Sequence, residues 1–255
     1  MDLGLDGKVV FLTGGSGGIG RAVARAFAAE GARVAAFSLE DGEGGDGVAS
    51  FTGDVRDPAA VRAAMDAAVA RWGRVDVCVP CAGIWPGADV PLHEQPEDRV
   101  RAVIDVNVLG VVWAARAFLQ ALARTGPRAD GHGAGLVLVG STAGRFGEPW
   151  HAEYAASKAA LAGLMRSLKN EIVQIDPRGR VNMVEPGWTL TPMTAGAMAD
   201  RDAVRAATRT MPLRQLGMPE DVAHAVLFLA SPVAARHVSG EALAVAGGME
   251  GRVLW

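Results

Sequence analysis

The chain has 255 residues, half of them hydrophobic and 21% charged, with a formal net charge of −3. That length suits one sizeable core burying roughly 75% of the unfolded surface, and the composition excludes a disordered chain. No basic cluster seeks nucleic acid, no uninterrupted apolar run of about 18 residues suggests a membrane span, and no basic-then-apolar leader opens the chain.

Lys8 to Gly20 reads KVVFLTGGSGGIG. The apolar run Val9 to Leu12 suits a strand buried on both faces, and Arg21 to Glu30 carries a helical apolar stripe at Val23 and Phe27. Between them the glycines Gly14, Gly15, Gly17, Gly18 and Gly20 make a turn fit for a pyrophosphate. They allow close backbone approach, and the helix N-terminus offers free N–H groups. The spacing is Gly14-x-x-x-Gly18-x-Gly20, not the G-x-G-x-x-G fingerprint. Glycine is abundant here, 33 residues, so the turn gains weight from its place at the start of a strand–helix series.

Arg33 to Phe37 reads as a second strand, Ser38 to Gly47 as a loop and Val48 to Thr52 as a third strand. Asp57-Pro58 starts a helix, with Asp as cap and Pro in the first turn, that Gly73 ends. Val75 to Val79 is a fourth strand and Trp85 to Pro96 a proline-bearing loop. Glu97 to about Arg124 reads as one long helix and Gly135 to Gly140 brackets a fifth strand. Ser141 to His151 is a loop, Ala152 to Ile175 a second long helix and Val181 to Val184 a sixth strand. Trp188 to Gly217 lacks a strand signal and is weakly helical near Met198 to Thr208. Pro219 to Ala230 is a helix and Glu241 to Ala246 a seventh strand. Alternation of strand and helix argues a parallel α/β sandwich in a single domain, 1–255. Cys78 and Cys81 have C-x-x-C spacing, but Cys78 lies in an apolar run and no second ligand pair exists. They read as buried or pocket-lining thiols in a reducing compartment, with no metal site.

In an open α/β sheet, ligands bind beyond the C-terminal strand ends. The stretches there are Gly14 to Gly20, Ser38 to Asp41, Asp54-Val55, Cys81 to Gly83, Ser141-Thr142 and Pro186 to Thr191. Tyr154, the only tyrosine, and Lys158 are four apart on one helical face. In isolation such a tyrosine is more often a packing residue and such a lysine a solvated one. Together they support proton transfer, because an ammonium favours the phenolate, and Ser141 can hydrogen-bond the same substrate oxygen.

Over nearly its full length the chain resembles the classical short-chain dehydrogenase/reductase family. The glycine motif matches Thr13 to Gly20 and Y-x-x-x-K matches Tyr154 to Lys158. The family serine, thirteen residues before the tyrosine, matches Ser141. The helical asparagine matches Asn107 in DVNVLG, the adenine-contacting pair Asp54-Val55, and the P-G motif Pro186-Gly187. The resemblance implies a Rossmann fold, with a seven-stranded parallel sheet, helices on both faces and a small substrate lid over 188–217. It implies an NAD(P)-dependent enzyme passing hydride between a nicotinamide cofactor and a secondary alcohol or ketone. Asn107, Ser141, Tyr154 and Lys158 would be catalytic. Tyr154 would exchange the proton, Lys158 would hold the nicotinamide ribose and depress the tyrosine's pKa, Ser141 would polarise the carbonyl, and Asn107 would distort its helix and hold a water. The cofactor would meet Gly14, Ser16, Gly17, Gly18, Ile19, Gly20, Ser38, Leu39, Asp54, Val55, Cys81, Ala82, Gly83, Asn107, Tyr154, Lys158, Pro186, Gly187, Thr189 and Thr191.

Three positions depart from the family pattern: Cys81 stands for an asparagine, Ala246 for an aspartate, and Ser38 at the cofactor-selecting site. With Glu40 and Asp41 nearby and no basic partner for a 2′-phosphate, NAD(H) is favoured over NADP(H). Trp85, Ser141, Arg145, Phe146, Trp150, His151, Trp188 and Met193 are expected to wall a substrate pocket, joined by Leu190 and Met198. Such a wall suits a moderately large, largely apolar alcohol or ketone. A homotetramer built on the two long helices, in the cytoplasm, is the family expectation. Two alternatives are an NADPH-dependent ketoreductase of the 3-oxoacyl-carrier-protein or polyketide type, and a non-catalytic nucleotide-binding scaffold.

Overall fold

The computed structural model describes residues 2–42, 44–45, 47–199 and 201–249. Glu43 and Asp46 of the expected Ser38–Gly47 loop, Asp200 of the expected lid and the last six residues of the expected domain lie outside them. Seven strands, all parallel, pair in the order β3-β2-β1-β4-β5-β6-β7. They are β1 (Val9–Thr13), β2 (Arg33–Ser38), β3 (Val48–Thr52), β4 (Val77–Pro80), β5 (Gly135–Val139), β6 (Arg180–Pro186) and β7 (Ala242–Val245).

Eight α-helices occur among the described residues. They are α1 (Gly18–Ala29), α2 (Pro58–Trp72), α3 (Glu97–Ile104), α4 (Gly110–Thr125), α5 (Thr142–Phe146), α6 (Ala152–Glu171), α7 (Arg201–Thr208) and α8 (Pro219–Ala230). Period-two alternation along β1 assigns them to faces. Val9 and Phe11 enter a cluster with α2, α4 and α6 residues such as Met65, Phe118 and Leu161. Val10 and Leu12 enter the opposite cluster with Val23 and Phe27 of α1 and Val226 of α8. All five β1 residues are buried, as a central parallel strand requires.

Local chemistry sets the helix ends. The Asp57 carboxylate accepts from Ala59 N at 2.8 Å and Pro58 occupies the first turn of α2. Gly73 closes that helix at φ 84°, a conformation that favours glycine. Two expectations change. The Ser141–His151 stretch folds partly into α5. The long helix over Glu97 to Arg124 is interrupted: a π-helical turn at Asp105–Leu109 separates α3 from α4. Taken through that turn, Glu97–Thr125 is long and apolar enough to cross a membrane by length and composition, with a mean hydropathy of 1.7 over its most apolar 18 residues. Its apolar residues Val111, Ala114, Phe118 and Leu122 instead pack into the core beside β4 and α6.

The strand order reverses between β1 and β4. Their C-terminal ends splay the following loops apart, and the site lies in that crevice.

Candidate active site

A cavity of about 530 Å³ runs along the C-terminal ends of β1, β2, β4, β5 and β6. Its floor is the glycine turn. Gly14 N donates to Phe37 O at 2.8 Å and Gly17 N to Gly14 O at 3.0 Å, which folds the turn under the start of α1. Side chains would not fit. A Cβ on Gly20 would stand 2.0 Å from Gly14 O, one on Gly14 2.8 Å from the Ala82 backbone, and one on Gly18 2.9 Å from Thr191 Cβ. Helix α1 has no acidic residue in its first turn, so its exposed N–H groups keep their partial positive charge.

Ser141, Tyr154 and Lys158 line the far wall of the same cavity. Ser141 follows β5 by two residues and caps α5, its Oγ accepting from Ala143 N at 3.1 Å. Gly144 brings α5 against α6: a Cβ there would lie 2.7 Å from Ala159 N. That approach carries Ser141 to Tyr154. Lys158 is buried, and its Nζ donates to Val139 O at 3.0 Å while standing 5.9 Å from the Tyr154 ring centre.

The electrostatics differ from expectation. Burial pushes the Tyr154 hydroxyl up to about 12; interaction with the Ser141 side chain opposes this and the Glu148 charge adds to it. Burial also pushes Lys158 down to about 8, against a smaller upward effect of Cys81. The groups acting on Tyr154 are thus desolvation, Ser141 and Glu148, and Lys158 is not among them.

Asn107 sits in the π-helical turn and is completely buried. Its Oδ1 accepts from Ile84 N at 2.8 Å; its Nδ2 donates to Ile84 O at 2.9 Å and Ser157 Oγ at 3.1 Å. Ser157 in turn donates to Tyr154 O at 2.7 Å. Asn107 therefore joins the chain after β4 to the helix that carries Tyr154. It does not itself line the cavity.

The other residues expected at the cofactor all line the cavity, from Gly14 to Thr191. Ser38 is 4% exposed, its Oγ accepting from Ser16 N at 2.9 Å, so its hydroxyl braces the glycine turn. Cys81 lines the cavity with its thiol pushed up by burial to about 11. Ala246 is buried, and a Cβ on Gly187 would stand 2.9 Å from its own.

The expected substrate wall is brought together only in part. Ser141 and Met193 line the cavity; Trp85, Arg145, Phe146, Trp150, His151 and Trp188 do not. Polar partners draw them elsewhere. Arg145 pairs with the buried Glu185 at 2.5 Å and donates to Ala242 O. His151 Nε2 lies 2.6 Å from Pro86 O, and its ring stacks on Trp85, 4.9 Å between centres. Trp85 donates to Glu148 at 3.1 Å and meets Trp188 edge-on at 5.9 Å. Trp150 and Phe146 are exposed.

Ile84, Ala102, Val106, Pro192 and Thr194 line the cavity without having been expected there. So does Arg56, whose guanidinium donates to Asp54 at 2.6 and 2.8 Å. Its adjacency to Asp54 in sequence was the available signal. Helical phase could have found Ala102 and Val106, four apart on one face.

The cavity fits a dinucleotide. Its glycine cradle is closed to side chains, and a Cβ on Gly83 would fill space 3.3 Å from Asn107 Oδ1 and 3.4 Å from Lys158 Nζ. A family model described as enoyl-(acyl-carrier-protein) reductase matches residues 14–250. The chain is 34% identical to the 3-oxoacyl-[acyl-carrier-protein] reductase FabG of Escherichia coli, covering 97% of this chain and 99% of that one. It is 36% identical to an L-rhamnose 1-dehydrogenase (NAD(P)(+)) of Sphingomonas, covering 96% and 97%. A 3-ketoacyl-(acyl-carrier-protein) reductase from Brucella melitensis, solved with NADH, superposes with a TM-score of 0.85 at 29% identity, covering 96% and 98%.

Proposed function

The chain belongs to the short-chain dehydrogenase/reductase family and is an NAD(P)-dependent oxidoreductase, and from that premise we propose a secondary alcohol/ketone substrate of moderately large, largely apolar character. One observation carries the reading: Ser141, Tyr154 and Lys158 share a wall with the glycine cradle, and the cavity beside them is faced by Ile84, Val106, Pro192 and Met193.

When bound in the cradle, the nicotinamide supplies the hydride chemistry. The chain supplies the rest. Ser141 Oγ donates a hydrogen bond to the substrate oxygen. Tyr154 gives that oxygen its phenolic proton in reduction and takes it back in oxidation. Burial keeps Tyr154 protonated, the form reduction consumes. Lys158, buried on the same wall with its Nζ 5.9 Å from the Tyr154 ring centre, would hold the nicotinamide ribose. Asn107 holds the Ile84 backbone and, through Ser157, the Tyr154 carbonyl.

NAD(H) is the favoured cofactor. Ser38 is turned inward, Leu39 is 67% exposed at the cavity edge, and Arg56 is already paired with Asp54, which leaves no free cation for a 2′-phosphate among the described residues that line the cavity there. Residues 188–217 act as a substrate lid within a single domain; Thr191 to Thr194 of this segment face the cavity. An apolar groove between α4 and α6, lined by Leu119, Leu164 and Ile175 among others, supports assembly into a homotetramer. The cytoplasm is its expected place.

The second reading is a ketoreductase of carrier-bound acyl chains. It is favoured by similarity to FabG and by the apolar cavity wall.

Turnover by Tyr154→Phe tests the assignment on a panel of ketones and alcohols with each cofactor. The expected result is a fall of about 10²-fold or more with cofactor affinity retained. Unchanged turnover would remove Tyr154 from the reaction.

A further inference from the structure

We infer that Glu153, Arg99 and Gln95 form a clamp that positions Tyr154, by docking the first turn of α6 onto the loop after β4. The inference rests on the reading of Tyr154 given above. Glu153 immediately precedes Tyr154, and its side chain is fully buried. Its Oε1 accepts from Arg99 Nε at 2.8 Å and lies 2.7 Å from Arg99 Nη2, while Oε2 accepts from Gln95 Nε2 at 2.6 Å. Arg99 also donates to Ala88 O at 2.7 Å.

Three donors meet the carbonyl of Trp150: Val90 N at 3.3 Å, Gln95 Nε2 at 3.2 Å and Arg99 Nη2 at 3.3 Å. Trp150 has φ 69°, a left-handed conformation that a bulky residue adopts only when its surroundings force it. Gln95 is itself unevenly satisfied. Its Nε2 faces three acceptors, Val90 O, Trp150 O and Glu153 Oε2, with two hydrogens. Its Oε1 is buried without a hydrogen-bond partner among the described residues.

A network selected for stability alone would not keep a strained tryptophan beside an orphaned acceptor. Strain of this kind is retained where it fixes geometry. Here it fixes the entry of the chain into α6, which begins at Ala152, two residues before the tyrosine. Although burial opposes it, the bonds from Arg99 and Gln95 hold the Glu153 carboxyl below its ordinary range, so the clamp stays charged at neutral pH.

Glu153→Gln and Gln95→Met test the clamp beside Tyr154→Phe. Gln95→Met removes the orphaned acceptor but also leaves the buried Glu153 Oε2 without its donor, so part of the folding stability is lost with it and kcat must be read well below the melting temperature. A displacement of about 1 Å at a reacting group is worth on the order of 10²-fold in rate. We therefore expect kcat to fall about tenfold or more in both variants, with KM and NADH affinity within about twofold and the loss persisting well below each melting temperature. Wild-type kcat in Gln95→Met, or a loss that merely tracks unfolding, overturns the clamp while leaving the role of Tyr154 intact. If Tyr154→Phe keeps full turnover, the underlying reading fails instead. Should Glu153→Gln not fold, Gln95→Met decides.

Discussion

Alanine at Gly20 sets two physical effects against each other. Gly20 lies in the first turn of α1, where alanine gains at most about 1 kcal/mol of helix propensity. The added Cβ, however, would stand 2.0 Å from Gly14 O and 2.8 Å from Gly14 C, both backbone atoms. An ordinary carbon–oxygen approach is about 3.3 Å, so the turn must retreat by about 1.3 Å. Overpacking of this kind costs about 1–3 kcal/mol, and its upper end applies because no flexible side chain can yield. The net loss is about 2 kcal/mol, a fall in Tm of about 4–8 °C for a chain this long. Gly83→Ala is the contrast: its Cβ meets Asn107 Oδ1 at 3.3 Å, a tight contact relieved by a shift of a few tenths of an ångström, and Lys158 Nζ at 3.4 Å, and both are side-chain tips rather than backbone. Tm should then stay within about 2 °C. Both variants should bind NADH at least about tenfold more weakly, because each fills or displaces the cradle. Thermal melts and calorimetric titration, run side by side, read both quantities. A higher Tm for Gly20→Ala, or wild-type NADH affinity in Gly83→Ala, refutes the steric account.

Other outcomes follow from charges and thiols. Burial holds Lys158 at about 8, against about 10.4 in the unfolded chain. Between those values the unfolded chain binds a proton that the folded chain lacks, so stability rises with pH there and is flat below about 8. Relative to Lys158→Met, the cofactor-free wild type should gain about 1 kcal/mol between pH 8 and 9 in urea melts; parallel curves would mean that Lys158 is well solvated. Arg145→Ala strands the buried Glu185 and should cost about 2 kcal/mol, less than a fully buried pair because Arg145 is 40% exposed. A loss under about 0.5 kcal/mol in denaturant titration would show the pair to be ornamental. Cys78 is buried and its thiol is pushed up, so it should not react with a disulfide reagent at pH 8 until the chain is denatured. Rapid labelling of Cys78 in the native protein would contradict its burial.

How much of this was legible in the sequence depends on which physical signal each part leaves. Helix α8 and strand β3 fall on the expected residues because proline starts, apolar runs and periodicity are local. The cofactor cavity was legible for the same reason: glycines at strand ends mark backbone approach. Side-chain direction in loops leaves no such mark. Arg145 and His151 sit close in sequence to Ser141 and Tyr154, yet Glu185 and Pro86 hold them away from the cavity. These partners are distant in sequence and follow no period. The high pKa of Tyr154 was equally invisible, since desolvation depends on everything packed around it.

The wide turn at Asp105–Leu109 amounts to one residue more than a straight helix needs. Val103, Asn107 and Val111 are spaced four and four and all are buried. Eight residues of regular α-helix rotate about 80° past a whole number of turns, which would swing Val111 off the face that Val103 occupies. The surplus residue absorbs that rotation, keeping one apolar seam continuous while presenting an amide in its middle. A single-residue deletion between 105 and 109 would therefore straighten the helix without opening a cavity. Its penalty would be local: seven residues of regular helix turn about 700°, close to two whole turns, so Val103 and Val111 keep their common face and what is lost is the hold of Asn107 on Ile84.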